Sequence, residues 1–284
     1  MALSLLSIQS HVVYGHVGNS AAAFALQRLG CEAMPLHTVQ FSSHAGYPGY
    51  RGQVFDAELI DACVDGLKSV GALARCHGIL TGFVGSPAIG EATLRAAQAL
   101  KGENPSAFHC CDPVFGDEGI GVYAAPGVLE FMRERAVPAA NLLTPNAFEL
   151  ERLSGVAATD ALSARKALGV LHKRGPRVIL ATSVRLADTP RDAIDMLVGE
   201  GAGLWRLRTP KEPIEVHGAG DLMAALFFYH WLQAASAPQA LARAASSVYG
   251  VVRATALAGG RELALVAAQG ELVAPTLSFS PQPF

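Results

Sequence analysis

Short apolar runs and amphipathic stretches alternate along most of the chain. Residues 3–9 form a run suited to a buried strand, and Asn19 is placed to cap a helix that continues to Leu29 and is closed by Gly30. Residues 31–39 predict the next strand, 58–67 a helix, and 76–81 a third strand. Residues 87–101 read as a helix with proline in its first turn, and 107–112 as a strand that Pro113 stops. Helices over 126–135, 147–153 and 162–174 are separated by strands over 141–144 and 177–182. Residues 194–198 and 204–207, with 199–203 between them, predict an antiparallel hairpin at one edge. Helices over 221–235 and 238–257 complete the set. Such alternation predicts an α/β chain in which helices cover both faces of a mostly parallel sheet. No repeat, linker or low-complexity stretch divides it, so residues 1–284 are read as one domain.

Composition narrows the class of partner. Apolar residues make up 51% of the chain and charged residues 16%, which is the balance of a globular protein. With 22 basic and 24 acidic residues, a net charge of -2 and no block of like charge, nothing favours nucleic acid or an anionic membrane. A small-molecule ligand is the expectation. Cys31, Cys63, Cys76, Cys110 and Cys111 are irregularly spaced in mostly apolar runs, which fits reduced thiols rather than a zinc site. Cys110 and Cys111 should point to opposite faces of one strand. No apolar stretch is long and clean enough to span a bilayer, and no targeting signal precedes the first strand, so the expected location is cytoplasmic.

In a parallel sheet of this kind, ligands bind beyond the carboxyl ends of the strands. Ser10 follows the first predicted strand, Gly82 and Phe83 the third, Asp112 the fourth, Thr144-Pro145-Asn146 the fifth, and Thr182-Ser183 the sixth. The sequence Gly218-Ala219-Gly220-Asp221 then delivers a carboxylate to the first turn of an apolar helix. Glycines let backbone N–H groups approach an anion, the helix N-terminus adds donors and a positive dipole end, and an aspartate there can take a proton from an alcohol. The plainer reading of Asp221 is a helix cap. Asn146 and Glu149 have two compatible readings: a capping box, or side chains that hold hydrated Mg²⁺ against nucleotide phosphates. Asp112 is either a turn former before Pro113 or a second carboxylate for that metal. His11, His16, His44 and His217 lack the spacing of a transition-metal site, Trp205 and Trp231 read as packing, and the Walker phosphate loop is absent.

Taken in order, these motifs resemble the pyridoxal kinases of the ribokinase-like superfamily. The most specific match is the opening Ser7-Ile8-Gln9-Ser10-His11-Val12-Val13-Tyr14-Gly15-His16-Val17-Gly18-Asn19-Ser20. Further matches are Thr38-Val39-Gln40-Phe41-Ser42 with His44, Leu80-Thr81-Gly82, Cys111-Asp112-Pro113-Val114, Thr144-Pro145-Asn146 with Glu149, and the Gly218 to Asp221 turn. The resemblance implies a three-layer αβα sandwich, usually a homodimer, that transfers the γ-phosphoryl of ATP to the 5′-hydroxymethyl of pyridoxal, with pyridoxine and pyridoxamine as related acceptors. Mg²⁺ and often a monovalent cation such as K⁺ assist. It implies Asp221 as general base, with Gly218, Ala219 and Gly220 around the developing phosphoryl charge. Asp112, Asn146, Glu149, Thr182 and Ser183 fall in the ATP region, with Asp112 and Glu149 reaching the metal through water. Ser10, Val17, Phe41, His44, Ala45 and Phe83 fall in the substrate region. Ala45 and Phe83 depart from the family, which has threonine and tyrosine there. The alternatives are a hydroxymethylpyrimidine kinase, opposed by the N-terminal match, and a non-catalytic pyridoxal phosphate binder, opposed by the intact Asp221 and Glu149.

Overall fold

The computed structural model describes residues 2–284. β1 (Ser4–Val12) leads through α1 (Asn19–Arg28) to a parallel neighbour, β2 (Glu32–Phe41), and β3 (Gly52–Val54) folds back on β2. The chain then crosses to the other side of β1. There α2 (Ala57–Ser69), β4 (Gly78–Thr81), α3 (Pro87–Glu103) and β5 (Phe108–Cys111) follow in parallel crossovers. A small hairpin, β6 (Gly116–Asp117) and β7 (Gly121–Val122), precedes an interrupted helix: α4 (Val128–Phe131), a π turn (Met132–Ala136) and α5 (Val137–Ala139). Next come β8 (Leu142–Leu143), α6 (Ala147–Ser154), α7 (Ala161–His172) and β9 (Val178–Val184), then the antiparallel pair β10 (Ala193–Glu200) and β11 (Gly203–Pro210). The long helices α8 (Ala219–Ala234) and α9 (Ala237–Leu257), the short α10 (Gly270–Val273) and β12 (Gln282–Pro283) end the chain.

The main sheet has ten strands in the order β12-β11-β10-β9-β8-β5-β4-β1-β2-β3. Both edges are antiparallel, whereas the sequence predicts only the β10–β11 edge. The strand order reverses at β1, which is the topological switch point where a crevice opens in such sheets. Strand residues alternate between two cores. Leu6, Ile79, Cys111, Leu143 and Ile179 pack with α2 to α7, while Leu5, Leu80, Cys110, Leu142 and Val178 pack with α1, α8, α9 and α10. Cys110 and Cys111 therefore face opposite layers, as the period of a strand requires. α8 is buried on every side from Leu222 to Trp231, because the sheet, α1 and α9 surround it. The architecture is the three-layer αβα sandwich that the sequence resemblance implies. No helix among the described residues is long and apolar enough to cross a membrane.

Asn19 is not a helix cap. Gly18 holds the cap position with φ 53, and a Cβ there would lie 2.3 Å from the Ser10 carbonyl oxygen, so the β1–α1 connection admits only glycine. The Asn19 side chain turns into the sheet, where its Oδ1 accepts from the Ser7 hydroxyl at 2.7 Å and its Nδ2 donates to the Leu36 carbonyl at 3.0 Å. A buried amide with several partners outweighs the single bond of a cap. β3, β6, β7, α10 and β12 are not predicted by the sequence, and the predicted elements differ mainly at their boundaries. α8 begins at Ala219, two residues before Asp221, and the helix predicted over 126–135 is broken by the π turn, beside which Pro138 brings no N–H to the ladder.

Candidate active site

The carboxyl ends of the parallel strands and the N-terminus of α8 meet around three carboxylates. Gly218 caps α8 at φ 87, and a Cβ on it would stand 1.8 Å from the His16 carbonyl oxygen. That contact presses the start of α8 onto the β1–α1 loop and sets Asp221 on the first turn, near the free backbone donors of a helix end. Withdrawal from water raises the Asp221 pKa from 3.8 to about 6, while the N–H groups of Gly18 and Asp221 itself pull it back.

Asp112 follows β5, is 6% exposed, and accepts a hydrogen bond from the Thr144 hydroxyl at 2.8 Å. Burial and then the charge of Asp221 push its pKa well up, with Thr144 opposing. Glu149 is 3% exposed and uses both carboxylate oxygens: Oε1 accepts from the Phe115 N–H at 3.1 Å and Oε2 from the Asn146 N–H at 2.9 Å. Its own N–H donates to Asn146 Oδ1 at 2.8 Å, completing a capping box. Burial and then Asp112 raise the Glu149 pKa, and the N–H groups of Asn146, Phe115 and Gly116 lower it. The capping reading of Asn146 and Glu149 is thus met by this arrangement.

Asn146 also donates from Nδ2 to the Gly116 carbonyl at 2.8 Å and forms an isolated parallel bridge with Thr182. Thr182 is fixed beside it, because its N–H donates to the Pro145 carbonyl at 2.9 Å. Ser183 is exposed at φ 55, a left-handed conformation that non-glycine residues rarely adopt.

The substrate candidates gather around the switch point. Ser10 lies in the β1 irregularity between Gln9 and His11, against Gly18. Val17 is buried next to it, and Phe41 ends β2 in edge contact with Tyr50 at 5.4 Å. Phe83 follows β4, its carbonyl accepting from the buried Thr38 hydroxyl at 2.7 Å. His44 and Ala45 lie in the β2–β3 loop, where Ala45 is exposed. Thr144, which the sequence places at the end of the fifth strand, orients Asp112. One residue joins the site that no sequence signal marks: Tyr123, just after the β6–β7 hairpin, has its phenol near carboxylates. Tyr123 is 48% exposed, so only partial burial, together with the charges of Glu149, Asp221, Asp117 and Asp112, pushes its pKa up.

No group of three or more His, Cys, Asp or Glu among the described residues forms a metal cage. The donor chemistry instead suits Mg²⁺, which usually keeps its waters and takes one or two carboxylates plus phosphate oxygens. Asp112 and Glu149 are the two buried carboxylates that could hold such waters.

Residues 25–265 match the phosphomethylpyrimidine kinase family. The chain is 49% identical to the pyridoxal kinase PdxY of Granulibacter bethesdensis, with 99% of each chain covered. It is 48% identical to that of Rubrobacter xylanophilus, covering 98% of this chain and 96% of the other. The chain belongs to the pyridoxal kinases of this family. The fold agrees: pyridoxal kinase from Leishmania donovani, solved with ADP and ginkgotoxin, superposes with a TM-score of 0.90 at 28% identity over 99% of both chains. The same enzyme solved with ADP and pyridoxine gives a TM-score of 0.90 at 29% identity.

Proposed function

We propose that this kinase transfers the γ-phosphoryl of ATP to the 5′-hydroxymethyl of pyridoxal, and that residues 1–284 act as one catalytic domain. The observation that carries the reading is Asp221: a carboxylate at the N-terminus of α8, its pKa raised to about 6, beneath a glycine turn. A base poised near neutrality accepts the hydroxyl proton as the oxygen attacks. The Gly218–Gly220 backbone and the helix end hold the developing phosphoryl charge. Thr182, Ser183 and Asn146 bind the nucleotide phosphates, and Asp112 and Glu149 hold the waters of Mg²⁺. When bound, that ion neutralises phosphate charge. Ser10 and His44 hydrogen-bond the substrate ring edge, Val17 and Phe41 wall its faces, and Ala45 and Phe83 line it without the hydroxyls usual in the family. A homodimer and a K⁺ requirement are carried over from the resemblance.

The family match to phosphomethylpyrimidine kinase, together with the two missing hydroxyls, favours hydroxymethylpyrimidine phosphorylation as the second reading. The test is ADP release with Mg²⁺-ATP and separate acceptors: pyridoxal, pyridoxine, pyridoxamine and hydroxymethylpyrimidine. Pyridoxal should give the highest kcat/KM. Preference for hydroxymethylpyrimidine would replace the first reading with the second, and tight pyridoxal phosphate binding without ADP release would make the chain a binder.

A further inference from the structure

The imidazole of His44 lies flat on that of His217, ring centroids 3.7 Å apart and planes 22° from parallel. The two residues are held from opposite sides. His217 immediately precedes Gly218, whose contact on His16 fixes the turn. The loop carrying His44 is clasped by Tyr47, whose hydroxyl donates to Glu262 Oε1 at 2.7 Å, while Glu262 Oε2 accepts from the His16 N–H at 3.2 Å. A cavity of about 500 Å³ opens beside the stack, lined in part by Gly46, Tyr47, Glu215, His217 and Arg261. Without the His217 ring, water from this cavity would reach His44.

The Gly46 N–H donates to His44 Nδ1 at 3.1 Å. A backbone amide only donates, so Nδ1 presents its lone pair and the ring proton of neutral His44 sits on Nε2. Withdrawal from water and then His217 hold the His44 pKa down at about 4, against the pull of Glu262. The groups acting on His44 are thus His217 from the segment before α8 and Glu262 from the segment after α9, with Tyr47 of its own loop bound to Glu262 and Arg261 lining the adjoining cavity.

We propose that His217 is a positioning residue whose ring keeps His44 neutral, so that its Nε2–H, the tautomer set by the Gly46 N–H, selects a substrate edge that turns a hydrogen-bond acceptor toward it. The inference rests on the reading of His44 as a substrate residue. Pyridoxal offers phenolic and carbonyl oxygens to such a donor. An aminopyrimidine placed with its amino group toward this donor would meet N–H with N–H, and a pocket built to donate disfavours that placement.

The test combines imidazole ¹H–¹⁵N correlation spectra with steady-state kinetics on the full-length protein, the His44 signals being assigned from a His44→Gln spectrum. In the unsubstituted protein, His44 should be a single Nε2–H tautomer that stays neutral down to about pH 5. His217→Ala should move its titration toward 6.5, the ordinary value, and raise KM for pyridoxal roughly five- to tenfold at pH 6, with a much smaller change in kcat. His217→Phe, which keeps a stacked ring, should preserve the tautomer and most of the KM. A His44 that is Nδ1-protonated, or that titrates unchanged in His217→Ala, overturns the stack's role. A moved titration with unmoved KM overturns the positioning role and leaves the kinase reading intact. Absence of pyridoxal turnover in the unsubstituted protein would sink the kinase reading instead, and the spectra would still decide whether His217 controls His44.

Discussion

Gly218→Ala and Gly220→Ala lie two residues apart in the same turn, and the structure assigns them opposite fates. At Gly218 the backbone has φ 87, where an L-residue costs about 1–2 kcal/mol. The added methyl would stand 1.8 Å from the His16 carbonyl oxygen and 3.3 Å from the Val17 Cα. These neighbours are backbone, so no rotamer change relieves the overlap. The first turn of α8 must retreat by on the order of 1 Å, taking Asp221 away from the Gly18 N–H, and misplacement on that scale costs about 10²-fold in rate. At Gly220 a Cβ meets nothing within 4 Å and φ is not positive. Thermal melts and kcat with saturating pyridoxal and Mg²⁺-ATP read the contrast. Gly218→Ala should melt lower and lose about two orders of magnitude in kcat. Gly220→Ala should melt with the parent, so any loss of rate there reports the approach of phosphate to the turn. A Gly218→Ala protein with parental melting and turnover would refute the claim that the His16 contact fixes the base.

Since the Asp221 pKa of about 6 lies above 3.8, the folded chain holds this proton more tightly than the unfolded one. Its contribution to stability therefore falls as pH rises from about 4 to 6, while the fraction of competent base climbs. On this account kcat/KM should drop about tenfold from pH 7 to pH 5, and Asp221→Asn should lose about 10²–10⁴-fold with ATP binding retained; a flat profile to pH 5 would remove Asp221 as the base. Glu149→Gln leaves one of two backbone N–H groups facing an amide nitrogen. It should lose about 1–3 kcal/mol of stability and raise the Mg²⁺ requirement; an unchanged Mg²⁺ titration would restrict Glu149 to the cap. The double change Ala45→Thr with Phe83→Tyr should lower KM for pyridoxal about fivefold or more at nearly constant kcat, and an unchanged KM would reopen the substrate assignment.

What could be read in the sequence were features that obey local rules. Strand periodicity places Cys110 and Cys111 in opposite cores, and the spacing of Asn146 and Glu149 announces the box that forms. The Gly218 to Asp221 turn carries its own explanation, because positive φ and close backbone approach both demand glycine. Asn19 shows where such rules fail. Its sequence position suits a cap, yet the deciding contact is Gly18 on Ser10, and the pull on its amide comes from Ser7 and Leu36. The β6–β7 hairpin has strands of only two residues, too short for any periodicity, so Tyr123 enters the carboxylate cluster without notice.

The pairing of His44 with His217 and of Tyr47 with Glu262 joins loops that the sheet, not the sequence, brings together; the second pair is 215 residues apart. The site is therefore divided by the range of its interactions. The phosphoryl-transfer candidates lie in short motifs at strand ends and one helix start, each of which folds by its own capping and turn chemistry. The substrate candidates lie after β1, β2 and β4, around the point where the order of strands reverses, and segments before α8 and after α9 join them through His217 and Glu262. On the proposed reading, changes in these loops, such as the loss of the hydroxyls at Ala45 and Phe83, retune which ring is bound while leaving the carboxylates and their partners where they are.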